Sequence, residues 1–291
     1  MVETQVRKPA WLKVRLGQGD RVRRVREAVH GGALHTVCEE ALCPNLGCCW
    51  EHGRATLMIL GGVCSRSCRF CNVAHGSPAS CDREEPRRAA QAVAAMGLNE
   101  VVLTSVTRDD LPDGGASVWA ETIRRIREAV PGIRVEVLIP DFGGSTDAVN
   151  VVLNAGPDIV GHNLETVRSL YAQVRPQADY EQSLGVLNWA RSRGFVAKTG
   201  IMLGLGETEP EIEELMRDAL GSGVEILSIG QYLRPTRGHL PVRRYVHPSE
   251  FEAYRWKGLR MGFGVVVSGP LVRSSLYSEE QAEYVRHNTA R

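Results

Sequence analysis

The residues best able to do chemistry are cysteines, and seven of the eight fall between positions 38 and 71. Cys38, Cys43 and Cys49 are spaced C-x4-C-x5-C, and Cys64, Cys68 and Cys71 are spaced C-x3-C-x2-C. A structural zinc takes four protein ligands in a closed tetrahedron, commonly from two C-x2-C knuckles. Two groups of three fit that poorly. They fit iron–sulfur clusters, which are held by thiolates from compact cysteine runs. A 4Fe–4S cluster on three thiolates keeps one iron open, and an open iron binds a substrate or cofactor. Spacing accounts for these six cysteines without Cys48 or Cys81, so those two are expected to be spare.

Elements must hold these groups in place. Ala55 to Leu60 is an apolar run read as a buried strand. Gly61-Gly62 ends it, and the second cysteine group follows at the strand's C-terminal end, where α/β barrels place their chemistry. Residues 35–54, with Cys43-Pro-Asn and Leu46-Gly47 as turn signals, read as a loop shaped by ligation. Strands are expected at 101–104, 134–139, 158–163, 195–203 and 224–229, with a further one at 265–268. Helices are expected at 85–96, 116–130, 146–154, 165–172, 180–193 and 209–220, and from Ser249 with Glu252 to about Gly262. Six β/α steps imply a parallel sheet, and right-handed crossovers curl it into a partial barrel. The fold class is therefore α/β, a partial (β/α)6 barrel. Residues 1–54 form an N-terminal extension carrying the first cysteines, 55–262 the barrel, and 263–291 a C-terminal extension.

The strand ends carry the other candidates. Asp109 and Asp110 are adjacent, so they point apart and read as parts of a loop tied by Arg108 rather than as an acid–base pair. His162 reads as a hydrogen-bonded structural residue. Asn163 and Glu165 suit the amino and hydroxyl groups of a small polar cofactor. Lys198 lies inside a buried strand and calls for an inward-facing partner. The Gly204 to Gly206 stretch either mimics a phosphate loop or allows a close backbone approach. Arg234 and Arg237 either hold a carboxylate or lie solvated.

Composition narrows the function classes. A net charge of +1 and 6% aromatic residues give no footprint for nucleic acid or an acidic membrane. No apolar run approaches the length of a membrane span. No secretory signal opens the chain, so clustered cysteines point to metal or redox chemistry in a reducing, cytoplasmic compartment. The Arg-rich stretch 20–30 resembles a transit peptide in composition but reads better as a surface helix.

The C-x3-C-x-aromatic-C pattern, with Phe70 before Cys71, resembles the signature of radical S-adenosylmethionine enzymes. Longer stretches resemble the lipoyl synthase family. They are Cys38-Glu-Glu-Ala-Leu-Cys43-Pro-Asn-Leu-Gly-Cys-Cys49-Trp50, Cys64-Ser-Arg-Ser-Cys68-Arg-Phe-Cys71, Arg108-Asp-Asp-Leu-Pro-Asp-Gly-Gly-Ala116 and Ile139-Pro-Asp-Phe142. Others are His162-Asn-Leu-Glu-Thr-Val167, Lys198-Thr-Gly-Ile-Met-Leu-Gly-Leu-Gly-Glu-Thr208, Gln231-Tyr-Leu and Ser268-Gly-Pro-Leu-Val-Arg-Ser-Ser275. The chain departs from the family's habit with Cys48 for an acidic residue, Thr107 for Asp and Leu276 for Tyr.

The resemblance implies a barrel of the radical S-adenosylmethionine type with two 4Fe–4S clusters. Cys64, Cys68 and Cys71 would hold the cluster that binds S-adenosylmethionine. Cys38, Cys43, Cys49 and Ser275 would hold an auxiliary cluster that donates sulfur. Phe70, Ser105, Asn163, Glu165 and Lys198 are the expected cofactor contacts. The substrate would be an octanoyl-lysine on a lipoyl carrier domain or H protein, with sulfur entering at C6 and C8. A reduced ferredoxin or flavodoxin-like donor, an iron–sulfur carrier for cluster repair and a monomeric state complete the expectation. Two other readings remain at this point: a different two-cluster radical enzyme, which would lack the C-terminal serine ligand, and a ferredoxin-like carrier or zinc module, which would not need six β/α units.

Overall fold

Breaker residues and buried apolar runs set most element boundaries. The computed structural model describes residues 8–13, 19–276 and 279–288; the remaining parts of both terminal extensions lie outside the described residues. Two compact units emerge, one formed by 19–67 with 72–161 and the other by 8–13, 68–71 and 162 onward.

The first unit contains α1 (Asp20–Gly31), β1 (His35–Thr36), α2 (Val37–Glu40), α3 (Leu46–Glu51), β2 (Thr56–Ile59), β3 (Val63–Cys64) and β4 (Ala74–His75). After these come α4 (Glu85–Met96), β5 (Glu100–Ser105), α5 (Ala116–Ala129), β6 (Arg134–Leu138), α6 (Thr146–Leu153) and β7 (Ile159–Gly161). The strand order is β1-β2-β5-β6-β7, with β1 antiparallel to β2 and the others parallel. Leu57, Met58, Ile59, Leu103, Val135 and Val137 are almost wholly buried, as parallel strands covered on both faces require. β3 and β4 form a separate parallel pair. The α1 helix buries Val22, Val25 and Val29, as expected of a surface helix with one apolar stripe. The α4 helix stops where expected, at Gly97, whose left-handed backbone (φ 63°) suits glycine.

The second unit contains α7 (Tyr171–Val174), α8 (Tyr180–Ser192), β8 (Val196–Leu203), α9 (Glu209–Gly221), β9 (Ile226–Gln231), α10 (Pro248–Met261), β10 (Val265–Ser268) and α11 (Glu279–Asn288). The three strands are parallel in the order β8-β9-β10. On α9, Ile212, Leu215, Met216 and Ala219 make one buried stripe, and Thr208 with Glu211 forms a capping box. Burying a large apolar side chain is worth roughly 1.5–3 kcal/mol and a cap about 1. Packing therefore decides that this helix forms, and the cap decides where it starts.

The six expected parallel steps are present as β2, β5, β6, β7, β8 and β9, with β10 added. Three local expectations fail. Residues 35–54 are no open loop: Thr36 accepts the Glu39 N–H at 3.2 Å and caps α2, and α3 follows. No helix starts at Glu165. Its N–H donates to Gly200 O and its carbonyl accepts from Met202 N, both at 2.9 Å, so its hydrogen bonds are spent on β8. The helical turns begin at Arg168. The α10 helix is capped by His247 with Glu250, two residues before the Ser249–Glu252 pair, because Pro248 fits a first helical position.

Gln231, at the end of β9, is buried and organises the irregular stretch 232–247 that follows. Its Nε2 lies 3.0–3.1 Å from the carbonyls of Leu203, Tyr232 and Arg244, and its Oε1 accepts the Val246 N–H at 2.8 Å. Gln231→Ala leaves those buried groups unpaired and should destabilise the protein by roughly 2–4 kcal/mol. An anaerobic urea melt checks this; a midpoint equal to that of the parent would contradict it.

Candidate cluster and cofactor sites

Cys64 ends β3, and its Sγ accepts the backbone N–H groups of Arg66 at 3.4 Å and Thr107 at 3.3 Å. Two backbone donors thus fix the position of this sulfur. Arg66 is the anchor of the segment. Its guanidinium makes paired bonds of 2.7 and 2.8 Å to Asp109 and a second pair of 2.7 and 2.8 Å to Asp141. The Asp141 side chain is fully buried and Arg66 nearly so. Burial works against the charge on Arg66, and the two carboxylates outweigh it, so its pKa is raised further. Ser65 lies 3.0 Å from Thr107 O, and its Oγ accepts the Asp109 N–H.

The adjacent carboxylates do point apart. Asp109 goes to Arg66, whereas Asp110 takes Arg108, whose buried guanidinium also reaches Leu60 O and Ala79 O. Neither is placed as a base.

In the second unit the Cys71 N–H donates to Cys68 O at 3.0 Å, closing a tight turn. Arg69 N–H donates to Val174 O, and Leu240 N–H donates to Arg69 O. Phe70 packs on Val174, Leu205 and Tyr232. The ring therefore fixes the turn by burial.

The first cysteine group lies in the first unit: Cys38 on α2, Cys49 on α3 and Cys43 between them. The Cys43 N–H donates to Cys38 O at 3.0 Å, and Asn72 donates to Glu40 O at 2.7 Å. Burial pushes the Cys38 thiol up and the Cys49 thiol up to about 12, with charge on neighbouring cysteines adding to the latter. Left alone, these sulfurs stay protonated; a cationic iron centre is what would hold them as thiolates. All eight cysteines are free of disulfides. Among the described residues no three Cys, His, Asp or Glu side chains gather as ligands of one ion would. A cubane asks for something else, because each thiolate meets a different iron. Cys48 is exposed, 3.8 Å from His52 Nδ1, and Cys81 lies apart near Arg108.

The end of the connection into β8 gathers Asn163, Glu165, Ser274 and Arg175. Asn163 Nδ2 donates to Glu165 Oε1 at 3.0 Å and to Ser274 Oγ at 2.9 Å. Both amide hydrogens are thus used, and the buried Oδ1 has no protein partner. A side chain at Gly200 would bring its Cβ within 2.9 Å of both Asn163 Oδ1 and Ser274 Cβ, so glycine is required there. Arg175 donates to Asn163 O at 2.8 Å and to Tyr171 Oη at 2.9 Å. Glu165 holds a positive φ of 67°. Burial pushes its carboxyl above the usual range, against the pull of Arg175, Asn163 and Arg273. Lys198 is buried and finds an inward-facing partner, Gln281 of α11, at 3.1 Å. In the first unit, Ser105 Oγ at the end of β5 is buried with no protein partner. Ser275 is half-buried in the turn closed by Leu276 N–H on Arg273 O.

The Gly204–Gly206 stretch is no phosphate loop. The N–H groups of Gly204, Leu205 and Gly206 converge on the Glu207 carboxylate at 2.6–3.0 Å, filling the nest internally. Sequence reasoning missed Arg66, Asp141, Arg175 and Ser274. The available signals were an arginine between the first two cysteines of the ligand loop and an aspartate shortly after a buried strand.

Residues 58–219 match the Radical SAM superfamily. A lipoyl synthase of Rubrobacter xylanophilus is 56% identical over 281 residues, covering 96% of this chain and 88% of the relative. A lipoyl synthase of Thermus thermophilus is 56% identical over 272 residues, covering 92% and 84%. Among solved structures, the FeFe-hydrogenase maturase HydG from Carboxydothermus hydrogenoformans aligns with a TM-score of 0.57 at 16% identity, covering 81% of this chain and 56% of that one. Methylornithine synthase (PylB) aligns with a TM-score of 0.52 at 15% identity, covering 77% and 60%. The chain spans little more than half of each solved structure, and these likenesses carry the fold alone: α/β, of the radical S-adenosylmethionine type.

Glu165 gives a test of its own. Its folded pKa is raised above the unfolded value of about 4.3, so the native state keeps a proton that the unfolded state has lost. Stability is therefore full below the unfolded pKa and declines as pH rises through the folded one. Glu165→Gln removes that decline. Cluster-free Gln variant and parent should melt together in acid, with the variant more stable near neutral pH. Parallel stability–pH curves for the two proteins would contradict the assignment.

Proposed function

The chain belongs to the lipoyl synthase family of radical S-adenosylmethionine enzymes, and we propose from that premise that its two cysteine groups hold two clusters with separate tasks. The enzyme is a sulfurtransferase that inserts two sulfur atoms, at C6 and C8, into an octanoyl chain borne on a lysine of a lipoyl carrier domain. A 4Fe–4S cluster and S-adenosylmethionine, when bound, supply the one-electron reduction and the radical that activates unreactive C–H bonds.

Cys64, Cys68 and Cys71 are the ligands we assign to that cluster. One observation carries the assignment: Cys64 Sγ is fixed between two backbone N–H donors on a loop locked by Arg66. Hydrogen bonds to cluster sulfurs are one of the protein's levers on potential. The arginine clamp keeps the loop from relaxing when charge on the site changes.

Asn163, Glu165 and Ser105 are assigned to the cofactor. With both amide hydrogens spent, Asn163 presents only its Oδ1, an acceptor for an ammonium or hydroxyl donor. Ser105 Oγ is buried and unpartnered by protein, which suits a ligand contact. Glu165 adds a carboxylate that burial has destabilised, so a cationic ligand group would lower its energy. The bond from Lys198 to Gln281 supports a role in seating α11. Phe70 excludes water from its turn.

Cys38, Cys43, Cys49 and Ser275 are assigned to the sulfur-donating cluster. A serine oxygen is a hard ligand, poorly matched to an iron otherwise surrounded by sulfur. At a cluster that must be dismantled, a ligand that leaves easily is an advantage. A reduced ferredoxin or flavodoxin-like protein would deliver electrons, and an iron–sulfur carrier would restore the consumed cluster.

Anaerobic reconstitution should load about eight iron atoms per chain, two clusters of four. Cys68→Ala should abolish formation of 5′-deoxyadenosine, while Cys43→Ala should spare it and stop sulfur insertion. Ser275→Cys should assemble both clusters, cleave S-adenosylmethionine and lose most lipoyl product in single-turnover mass spectrometry. Lipoyl product from Cys43→Ala, or four irons in a fully active preparation, would refute the division of tasks.

A further inference from the structure

We propose that the stretch 232–247, between β9 and α10, is the surface on which an acidic face of the acyl-bearing carrier domain docks. The proposal rests on the functional reading above, which requires a protein substrate and therefore a surface to receive it.

The stretch contains Arg234, Arg237, Arg243, Arg244, His239 and His247 and no Asp or Glu, in a chain whose net charge is only +1. Arg244 is neutralised by Glu250 at 2.7 Å. Arg237 and Arg243 are exposed and meet no carboxylate among the described residues; the same holds for Arg69 of the cysteine turn. The positive charge left over is thus local and directed at solvent.

The stretch is irregular yet ordered. Tyr232 Oη donates to Leu240 O at 2.8 Å, Arg243 N–H donates to Gly204 O at 2.8 Å, and the Gln231 side chain holds Arg244 and Val246. Leu240 and Val242 pack beneath it with Phe70 and Leu205. Connections of this length without secondary structure are uncommon in compact domains and are usually functional. A surface already ordered loses little entropy on binding.

Its position also fits. Leu240 N–H bonds Arg69 O at 3.3 Å, and His239 Nε2 lies 2.9 Å from Cys71 O. A domain seated on the arginines would sit beside the turn that carries Cys68 and Cys71, where an acyl-lysine arm has to be delivered. Charges on such a rim act on encounter rate and partner choice more than on the bound chemistry.

The test compares two substrates: an octanoylated carrier domain and a short uncharged octanoyl-lysine peptide. For the parent enzyme, KM for the carrier should rise between about 50 and 200 mM salt while KM for the peptide stays level. Arg237→Glu with Arg243→Glu should raise KM for the carrier roughly tenfold, leave kcat unchanged and flatten the salt dependence. Arg237→Lys with Arg243→Lys should retain the parent values. Unchanged turnover of the peptide shows that the charge-reversed protein is folded and loaded. An unchanged carrier KM in the reversed variant, or equal losses on both substrates, overturns the proposal. So does loss of duplex DNA or RNA binding with carrier KM unchanged, which would make the loop a nucleic-acid contact. A parent enzyme that converts neither substrate overturns the functional reading instead, and the proposal with it.

Discussion

The first unit depends on one buried charge arrangement, the Arg66 guanidinium between Asp109 and Asp141. Removing Arg66 and Asp141 from water costs several kcal/mol per ion, and geometry, helped by the partly exposed Asp109, has to recover it. Here it does so through two bidentate pairs, with every oxygen of both carboxylates bonded. Only a planar guanidinium can serve two carboxylates in this way; a lysine is a point charge on a flexible stem. The three residues come from the ligand loop, the loop after β5 and the loop after β6. One interaction therefore registers Cys64 against two strand ends. Stability is not its best explanation, since apolar replacements of buried ion pairs are often as stable. Its effect is to leave the ligand loop a single conformation.

The second unit meets the same need by a different device. Asn163 cannot rotate freely, because exchanging its amide oxygen and nitrogen would set an oxygen against the Glu165 carboxylate. Arg175 pins the Asn163 carbonyl, and Gly200 supplies the space in which Asn163 and Ser274 meet. Glu165 sits in a left-handed backbone conformation that a non-glycine residue adopts only when its surroundings force it. Its hydrogen bonds to β8 do the forcing. Strain, a raised carboxyl pKa and an unpartnered acceptor thus coincide within three residues, which is how sites that bind polar ligands differ from ordinary strand ends.

Much of this was legible in the sequence, and the reason differs by element. Helices α4, α8 and α9 combine a sustained apolar period with a cap or a glycine stop, so their limits were readable to within a residue or two. The parallel strands are short apolar runs between breakers and were found, with ends displaced by one or two residues. Glu165 was misread because its local sequence favours a helix while its backbone bonds go to β8, which no local pattern encodes. The cysteine groups were obvious from spacing. Arg66 and Asp141 are 75 residues apart, and nothing in either neighbourhood names the other. The Gly204–Gly206 stretch looked like an anion nest and is one, but the anion is Glu207, its own next residue.

The two cysteine groups also differ in how their backbone is supported. Cys64 belongs to β3, while Cys38 and Cys49 ride on helices of four and six residues. Isolated helices shorter than about 12–15 residues are marginal at best. These two persist through contacts from outside: the wholly buried Trp50, the Thr36 cap, the bond from Asn72 to Glu40 and the pairing of β1 with β2. Local opening free energies fall where few such contacts exist. The segment assigned to the consumable cluster therefore has little stability of its own and depends on its neighbours and its ligand. The segment assigned to the permanent cluster is anchored by charge to two strand ends. On the proposed division of tasks, the cluster to be surrendered would sit on the segment with less rigidity of its own.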